Sequence, residues 1–215
     1  YVGVSNNHIV WARRVLQITE KNIYVLKNTV IPDYGSSNIY HGDLLMISNL
    51  REIKNVLFGI NLANHLKRKL TIFGSHDGAV YGDMVLREAA SSEYITIIQN
   101  EWEVQKYLNN FSLAIHTAFL ETGPLVLLEY MAHGLPFITF RTGAVVEQIK
   151  DVFPFLIAES FDLSEWEKKI NLLESRIRNE GDTLASDLKK VFADKFSPDN
   201  YLEQCLMIYQ NVLNS

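Results

Sequence analysis

Short runs of mostly apolar residues alternate with amphipathic stretches along most of this chain, and that alternation most constrains its fold. The runs are Val2 to Ser5, Ile23 to Leu26, Leu44 to Ser48, Leu70 to Phe73, Tyr94 to Ile98, Leu113 to His116, Phe137 to Phe140 and Phe155 to Ile157. They are rich in Ile, Val, Leu and Phe and bounded by Gly, Asn, Asp or Pro, which predicts strands. Most lack polar alternation, so both faces of each strand should be covered. Helical patterns such as Val56-Leu57-Ile60-Asn61-Asn64 and Trp102-Val104-Tyr107-Leu108 lie between them. Strand and helix at this spacing predict an α/β fold, a doubly wound parallel, Rossmann-like sheet with right-handed crossovers, flanked by helices.

Beyond residue 162 the strand signal stops. Leu163 to Arg178, Leu184 to Phe192 and Tyr201 to Leu213 read as three consecutive helices, the last opened by Ser197-Pro198-Asp199. Thr29 to Gly42, with Pro32, Gly35, Ser36 and Ser37, reads as a linker. Residues 1–28 are then a separate unit, and the sheet domain starts near His41. A first residue Tyr1 leading straight into a strand and a helix is expected of a domain cut from a longer chain. No repeat of fixed period is present.

Composition excludes several classes. Apolar residues make up 47% of the chain, too many for disorder. No run reaches the roughly 18 apolar residues of a membrane span, since Leu125 to Phe140 is broken by Glu129, His133 and Pro136. The single cysteine, Cys205, leaves no internal disulfide or thiolate cluster and fits a reducing compartment. A net charge of −5 argues against nucleic acid as a partner. Gly-x-Gly-x-x-Gly, Walker, His-Glu-x-x-His and nucleophile-elbow motifs are missing, so the corresponding chemistries lack support. The aromatic residues Trp11, Trp102 and Trp166 sit on helical patterns and are expected in the core or an interface. The basic run His65-Leu66-Lys67-Arg68-Lys69 suits a solvated helix C-terminus, with an anionic membrane as the other surface it could face.

Parallel sheets bind ligands beyond the carboxyl ends of their strands. The most informative such segment runs from His116 to Phe140. A strand ends at His116, a helix is predicted from Gly123-Pro124 to Gly134, and its free N–H groups would favour an anion such as phosphate. Glu121 and Glu129 are eight residues apart, about 80° around a helix axis, and so could share one side of a site. Glu129 lies among Leu125, Val126, Leu127, Leu128, Tyr130 and Met131. A carboxylate so placed needs a partner, and two sugar hydroxyls would serve. Spacing alone leaves a plainer reading open, with Glu121 complementing the helix dipole and Glu129 on an exposed stripe.

These residues resemble the signature of the family 4 (group 1) retaining glycosyltransferases, in the C-terminal, donor-binding domain of their two-domain GT-B fold. That signature is Glu, seven residues, Glu, then a small-residue Gly-x-Pro tail, matched by Glu121, Glu129, Met131-Ala132, Gly134 and Pro136. Thr142-Gly143 with Glu147 matches the family's next turn, and Leu45 to Asn55 its first strand and Lys turn. At a low level the likeness extends from about residue 1 to 213.

The resemblance implies half of a GT-B fold. Residues 1–28 would be the tail of the acceptor domain, 29–42 a linker, 43–160 the nucleotide-sugar-binding domain, and 161–215 helices packed on it. It implies a sugar moved from a UDP- or GDP-sugar to a glycan or lipid-linked acceptor, in polysaccharide synthesis, with no cofactor and no metal. Glu129 would hold the ribose hydroxyls, and Glu121, the catalytic position, the hydroxyls of the transferred sugar. Lys54 would meet the diphosphate together with Thr122, Gly123 and Leu125, with His116 near the phosphates. The base would lie on the loop from Gln99 to Val104, Glu101 included. A cytoplasmic place at the inner face of a membrane, reached by peripheral contact, follows from lipid-linked acceptors.

One position departs from the pattern. Asn49 stands where the family carries a phosphate-binding Arg, and Arg51 follows two residues later. Either Arg51 takes over from a shifted loop, or phosphate affinity is weaker. The alternatives are a sugar-nucleotide epimerase of GT-B fold and a degenerate, non-catalytic sugar-nucleotide-binding module. By itself the chain is expected to bind without turnover.

Overall fold

The computed structural model describes residues 1–18, 23–37, 39–180 and 182–214. Thr19 to Asn22 of the expected first unit and Asn38 of the expected linker lie outside the described residues. The main sheet has six parallel strands: β3 (Gly42–Ile47), β4 (Leu70–Phe73), β5 (Ile95–Ile98), β6 (Phe111–His116), β7 (Phe137–Phe140) and β8 (Ile157–Ala158). Their order is β5-β4-β3-β6-β7-β8. The chain therefore winds outward from the centre twice in opposite directions. Right-handed crossovers then place α2 (Val56–Leu66) and α3 (Val80–Ala90) on one face and α4 (Leu125–His133) and α5 (Ala144–Ile149) on the other. The register pairs Leu44 with Leu70 on one side of β3 and with Leu113 on the other. All three are buried, as strands covered on both faces must be.

Three helices close the structure: α6 (Leu163–Glu180), α7 (Thr183–Phe196) and α8 (Pro198–Leu213). α6 packs on α2 and α7 on α4. Ser197 caps α8 by accepting from Asn200 N, with Pro198 in the first turn, as the sequence signals. Near the amino end, α1 (Asn6–Leu16) packs on a separate parallel pair, β1 (Val2–Gly3) and β2 (Tyr24–Val25). Asn28 Nδ2 ties this region to the sheet domain by donating to Gly123 O at 2.9 Å.

The structure corrects three expectations. Pro154 to Leu156 form a 3-10 turn, and the last strand is only Ile157–Ala158. Pro154, with its fixed φ, opens that turn, and Leu156 N donates within it to Phe153 O at 3.1 Å, so pairing starts only at Ile157. The pattern around Trp102 to Leu108 becomes a 3-10 turn at Val104–Asn110. Pro124 is the N-cap of α4, with extended ψ of 107°, and its carbonyl accepts Leu127 N, so the helix begins at Leu125. Of the three tryptophans only Trp166 is in the core, edge-on to Phe58 with centroids 5.2 Å apart. Trp11 and Trp102 are 48% and 82% exposed, because their helix and loop border cavities.

Candidate active site

The strand order reverses between β3 and β6, and a cleft of about 460 Å3 opens there, beyond the carboxyl ends of the strands. Each wall follows from a local device. After β3 the chain runs through Ser48 and Asn49 into a 3-10 turn, Glu52–Lys54, that ends at Asn55 in the left-handed region (φ 51°). Asparagine tolerates that conformation, and the bend leaves Lys54 lining the cleft. Thr117, just past β6, fixes the bend by sharing its hydroxyl between Lys54 O at 3.1 Å and Asn55 O at 3.0 Å. Thr142 holds the opposite wall, its Oγ1 accepting Glu121 N at 3.0 Å. Gly134 ends α4 in the left-handed region (φ 70°), which favours glycine and turns the chain into β7.

Three charged or polar side chains meet inside. Lys54 Nζ is bonded to Glu121 Oε1, and His116 Nε2 faces the same oxygen at 3.4 Å. Thr139 Oγ1 donates to Phe140 O, so it accepts from His116 Nδ1 at 3.0 Å and fixes the ring. Burial works to raise the Glu121 carboxyl. The His116 and Lys54 hydrogen bonds and charges outweigh it and hold the group below its ordinary value of 4.5. Glu129, on α4, has among the described residues only Gln105 Nε2 at 3.4 Å. Burial therefore pushes its carboxyl up, with slight relief from Gln105. The site holds one carboxylate that is charged and paired, and one with hydrogen-bonding capacity to spare.

Lys54, Asn49, Glu101, His116, Glu121, Gly123, Leu125 and Glu129 all line this cleft. Three expected residues do not. Arg51 Nε is bonded to Asp77 Oδ2 at 2.8 Å on the surface, Thr122 lines a neighbouring cavity, and Gln99 precedes a left-handed turn at Asn100 (φ 61°). Lys54 is the only lysine or arginine lining the cleft among the described residues. The helical-wheel angle between the two glutamates does not apply, because Glu121 lies in the loop before α4; that loop, not the helix, brings them together. Sequence reasoning placed Thr117 and Thr142 just beyond strand ends, Thr142 in a matched turn, but gave neither a role, and it missed Thr139 and Gln105, which carry no signal beyond being polar loop or strand-end residues.

The basic run after α2 is largely engaged. His65 faces Glu167, Arg68 pairs with Glu174 and Asp43, and Lys69 donates to Glu93 O. Among the described residues no helix is long and apolar enough to cross a membrane, and no group of three His, Cys, Asp or Glu could hold a metal ion.

The Glu121 cluster predicts an acid limb in stability. Its folded carboxyl titrates below the unfolded one, so the pair's contribution is complete above the unfolded value of 4.5 and lost as pH falls through the folded one. Urea midpoints from about pH 3 to 7 should fall on acidification, and Glu121→Gln should flatten that fall. An unchanged slope in the variant would remove the pair from the acid limb.

A family model described as "Glycosyl transferases group 1" matches residues 41–183. No curated protein matches the sequence. Among solved structures, a glycosyltransferase from Rickettsia africae superposes with a TM-score of 0.82 at 20% identity, covering 99% of this chain and 63% of that one. Sucrose-phosphate synthase from Thermosynechococcus elongatus gives 0.79 at 14%, covering 99% and 58%. A TarM mutant of S. aureus, in complex with fondaparinux, alpha-GlcNAc-glycerol and UDP, gives 0.72 at 17%, covering 97% and 43%. At these identities the likeness shows a shared fold. The chain spans between 43% and 63% of the length of these three structures.

Proposed function

The chain belongs to the group 1 glycosyltransferases, and from that premise we propose that its cleft takes the nucleoside diphosphate of a sugar donor. The observation that carries this reading is the convergence of Glu129, Glu121, Lys54 and His116 on one cavity at the sheet's switch point. Glu129, short of donors, accepts from the two ribose hydroxyls. Lys54 leaves Glu121 for the diphosphate, where the Leu125 and Val126 N–H groups at the start of α4 add positive potential. Glu121, released, orients hydroxyls of the transferred sugar.

In the transfer step the anomeric carbon's bond to the diphosphate oxygen breaks, and its electron pair leaves with the nucleoside diphosphate. An acceptor hydroxyl oxygen bonds to that carbon with retention, and its proton passes to the departing oxygen. Lys54 and the helix terminus stabilise the charge that develops there. Transfer to a glycan or lipid-linked acceptor, in polysaccharide synthesis, is proposed for the whole protein; this chain alone is expected to bind without turnover. Residues 1–28 are proposed as part of the acceptor side, and residues 43–160 with the helices from 161 onward as the donor side.

A non-catalytic binding module is a second reading. Asn49 in the cleft and the engagement of Arg51 by Asp77 favour it, since only one lysine is left for two phosphates. Calorimetric titration with UDP, GDP and ADP tests the site itself. One nucleotide is expected to bind and to name the base; three flat titrations would overturn the donor reading for this chain.

A further inference from the structure

We infer that a second cavity, which shares Glu121 with the donor cleft, is a subsite for a neutral sugar ring of the acceptor. The inference rests on the donor reading above and extends it to the other substrate. This cavity is about 470 Å3, within the roughly 300–1,000 Å3 range of small-molecule sites. One wall is α1, where Asn7 and Trp11 stand one helical turn apart with His8 between them. The other is the turn after β7 and the start of α5, with Arg141 and Glu147. Glu121 lines both this cavity and the donor cleft.

The chemistry of the walls selects the ligand. Trp11 is half-exposed, so its indole offers a flat apolar face to the C–H face of a pyranose. Around it stand groups that exchange hydrogen bonds with hydroxyls. Asn7 both donates and accepts, and Glu147, held to Lys150 through Oε2 at 2.9 Å, keeps Oε1 free to accept. An anionic ligand is disfavoured. Arg141 is already bonded to Glu159 at 3.1 Å, and the cavity's other formal charges are the carboxylates of Glu121 and Glu147. An uncharged polyol with one apolar face fits, whereas a phosphate does not. A ring seated there shares Glu121 with the cleft proposed for the donor sugar.

The three tryptophans provide the test, since one lies in each cavity and one in the core. The chain is labelled with 5-fluorotryptophan, and the 19F resonances are assigned with Trp11→Phe, Trp102→Phe and Trp166→Phe. It is then titrated with UDP and with methyl glycosides of glucose, galactose and N-acetylglucosamine, each with and without UDP. At least one glycoside should move the Trp11 resonance and leave Trp166 fixed, and UDP should move Trp102. Asn7→Ala or Glu147→Ala should weaken the glycoside response about tenfold, the loss of one hydrogen bond to a partner of this kind. The Trp166 resonance verifies that each variant is folded. No Trp11 response to any glycoside, or a Trp11 response to UDP alone, overturns the acceptor subsite while a Trp102 response keeps the donor reading. A silent Trp102 with a responsive Trp11 overturns the donor reading, and with it the acceptor role of a cavity that would then be only a sugar site.

Discussion

Replacing Glu129 with alanine is expected to lower nucleotide affinity about a hundredfold while leaving the fold intact. The carboxylate sits on α4 against an apolar helix face and has one long hydrogen bond, to Gln105 at 3.4 Å. Two ribose hydroxyls donating to it would form two hydrogen bonds to a charged group, each about 1.5 kcal/mol or more. Their sum, about 3 kcal/mol, is roughly a hundredfold in Kd. Glu129→Gln separates binding from stability. Burial raises this carboxyl in the folded chain, so the stability that accompanies its protonated form is lost as pH rises through its folded value. Above that value the ionised group therefore costs stability that a neutral glutamine does not. The Gln variant should melt up to about 3 °C higher, the shift near 1 kcal/mol gives a chain of this size, and should still bind nucleotide weakly. Calorimetry with the nucleotide that binds, paired with thermal melts, checks both. Alanine binding within threefold of the parent would take Glu129 out of the site, and a Gln variant that melts lower would remove the burial cost.

Much of this could be read from the residues, for identifiable reasons. Val-, Ile- and Leu-rich runs bury both strand faces, so Leu70–Phe73 and Phe137–Phe140 fall where the sequence places them. The start of β8 was misplaced at Phe155 because apolar content and ladder capacity are separate properties: in the 3-10 turn that Pro154 opens, Leu156 N donates to Phe153 O and is lost to the ladder. Glu129 was legible because a lone carboxylate among apolar neighbours demands a partner. The supports of the site were not. Thr117 bonds to Lys54 and Asn55 from more than 60 residues away, and Asn28 reaches Gly123 across 95 positions. No local pattern encodes such pairs, since they depend on how loops from different strands meet. Arg51 shows the same limit from the other side. Its spacing left two readings open, a stand-in for the phosphate arginine or a weaker phosphate site, and only the fold shows Asp77, on the loop after β4, holding it on the surface.

Gly74→Ala should be the most damaging of the small substitutions, through the cleft as well as the fold. Gly74 follows β4 and lines the cleft beside Ser48 and Asn49. A methyl there would lie 2.0 Å from Ser48 O and 3.0 Å from its carbonyl carbon. Both are backbone atoms, so no rotamer change relieves the overlap. The two segments are also laced together on either side. Ser48 N donates to Phe73 O at 2.8 Å and Leu50 N to Ser75 O at 3.0 Å, while Gly74 N is itself held to Ile98 O of β5 at 3.1 Å. Forcing them apart breaks those bonds or displaces the turn that carries Lys54. Overpacking of this severity costs about 3 kcal/mol, a fall in Tm of roughly 10 °C, and nucleotide affinity should drop with it. Gly78→Ala is the matched comparison. Its φ of 81° strains any side chain, but nothing lies within 4 Å of the added methyl. It should therefore lose only about 1 kcal/mol from left-handed strain and keep nucleotide binding. Melts and titrations of the two variants side by side decide the matter. A Gly74→Ala chain as stable and as competent in binding as Gly78→Ala would mean that the close approach of these two loops is not what shapes the donor cleft.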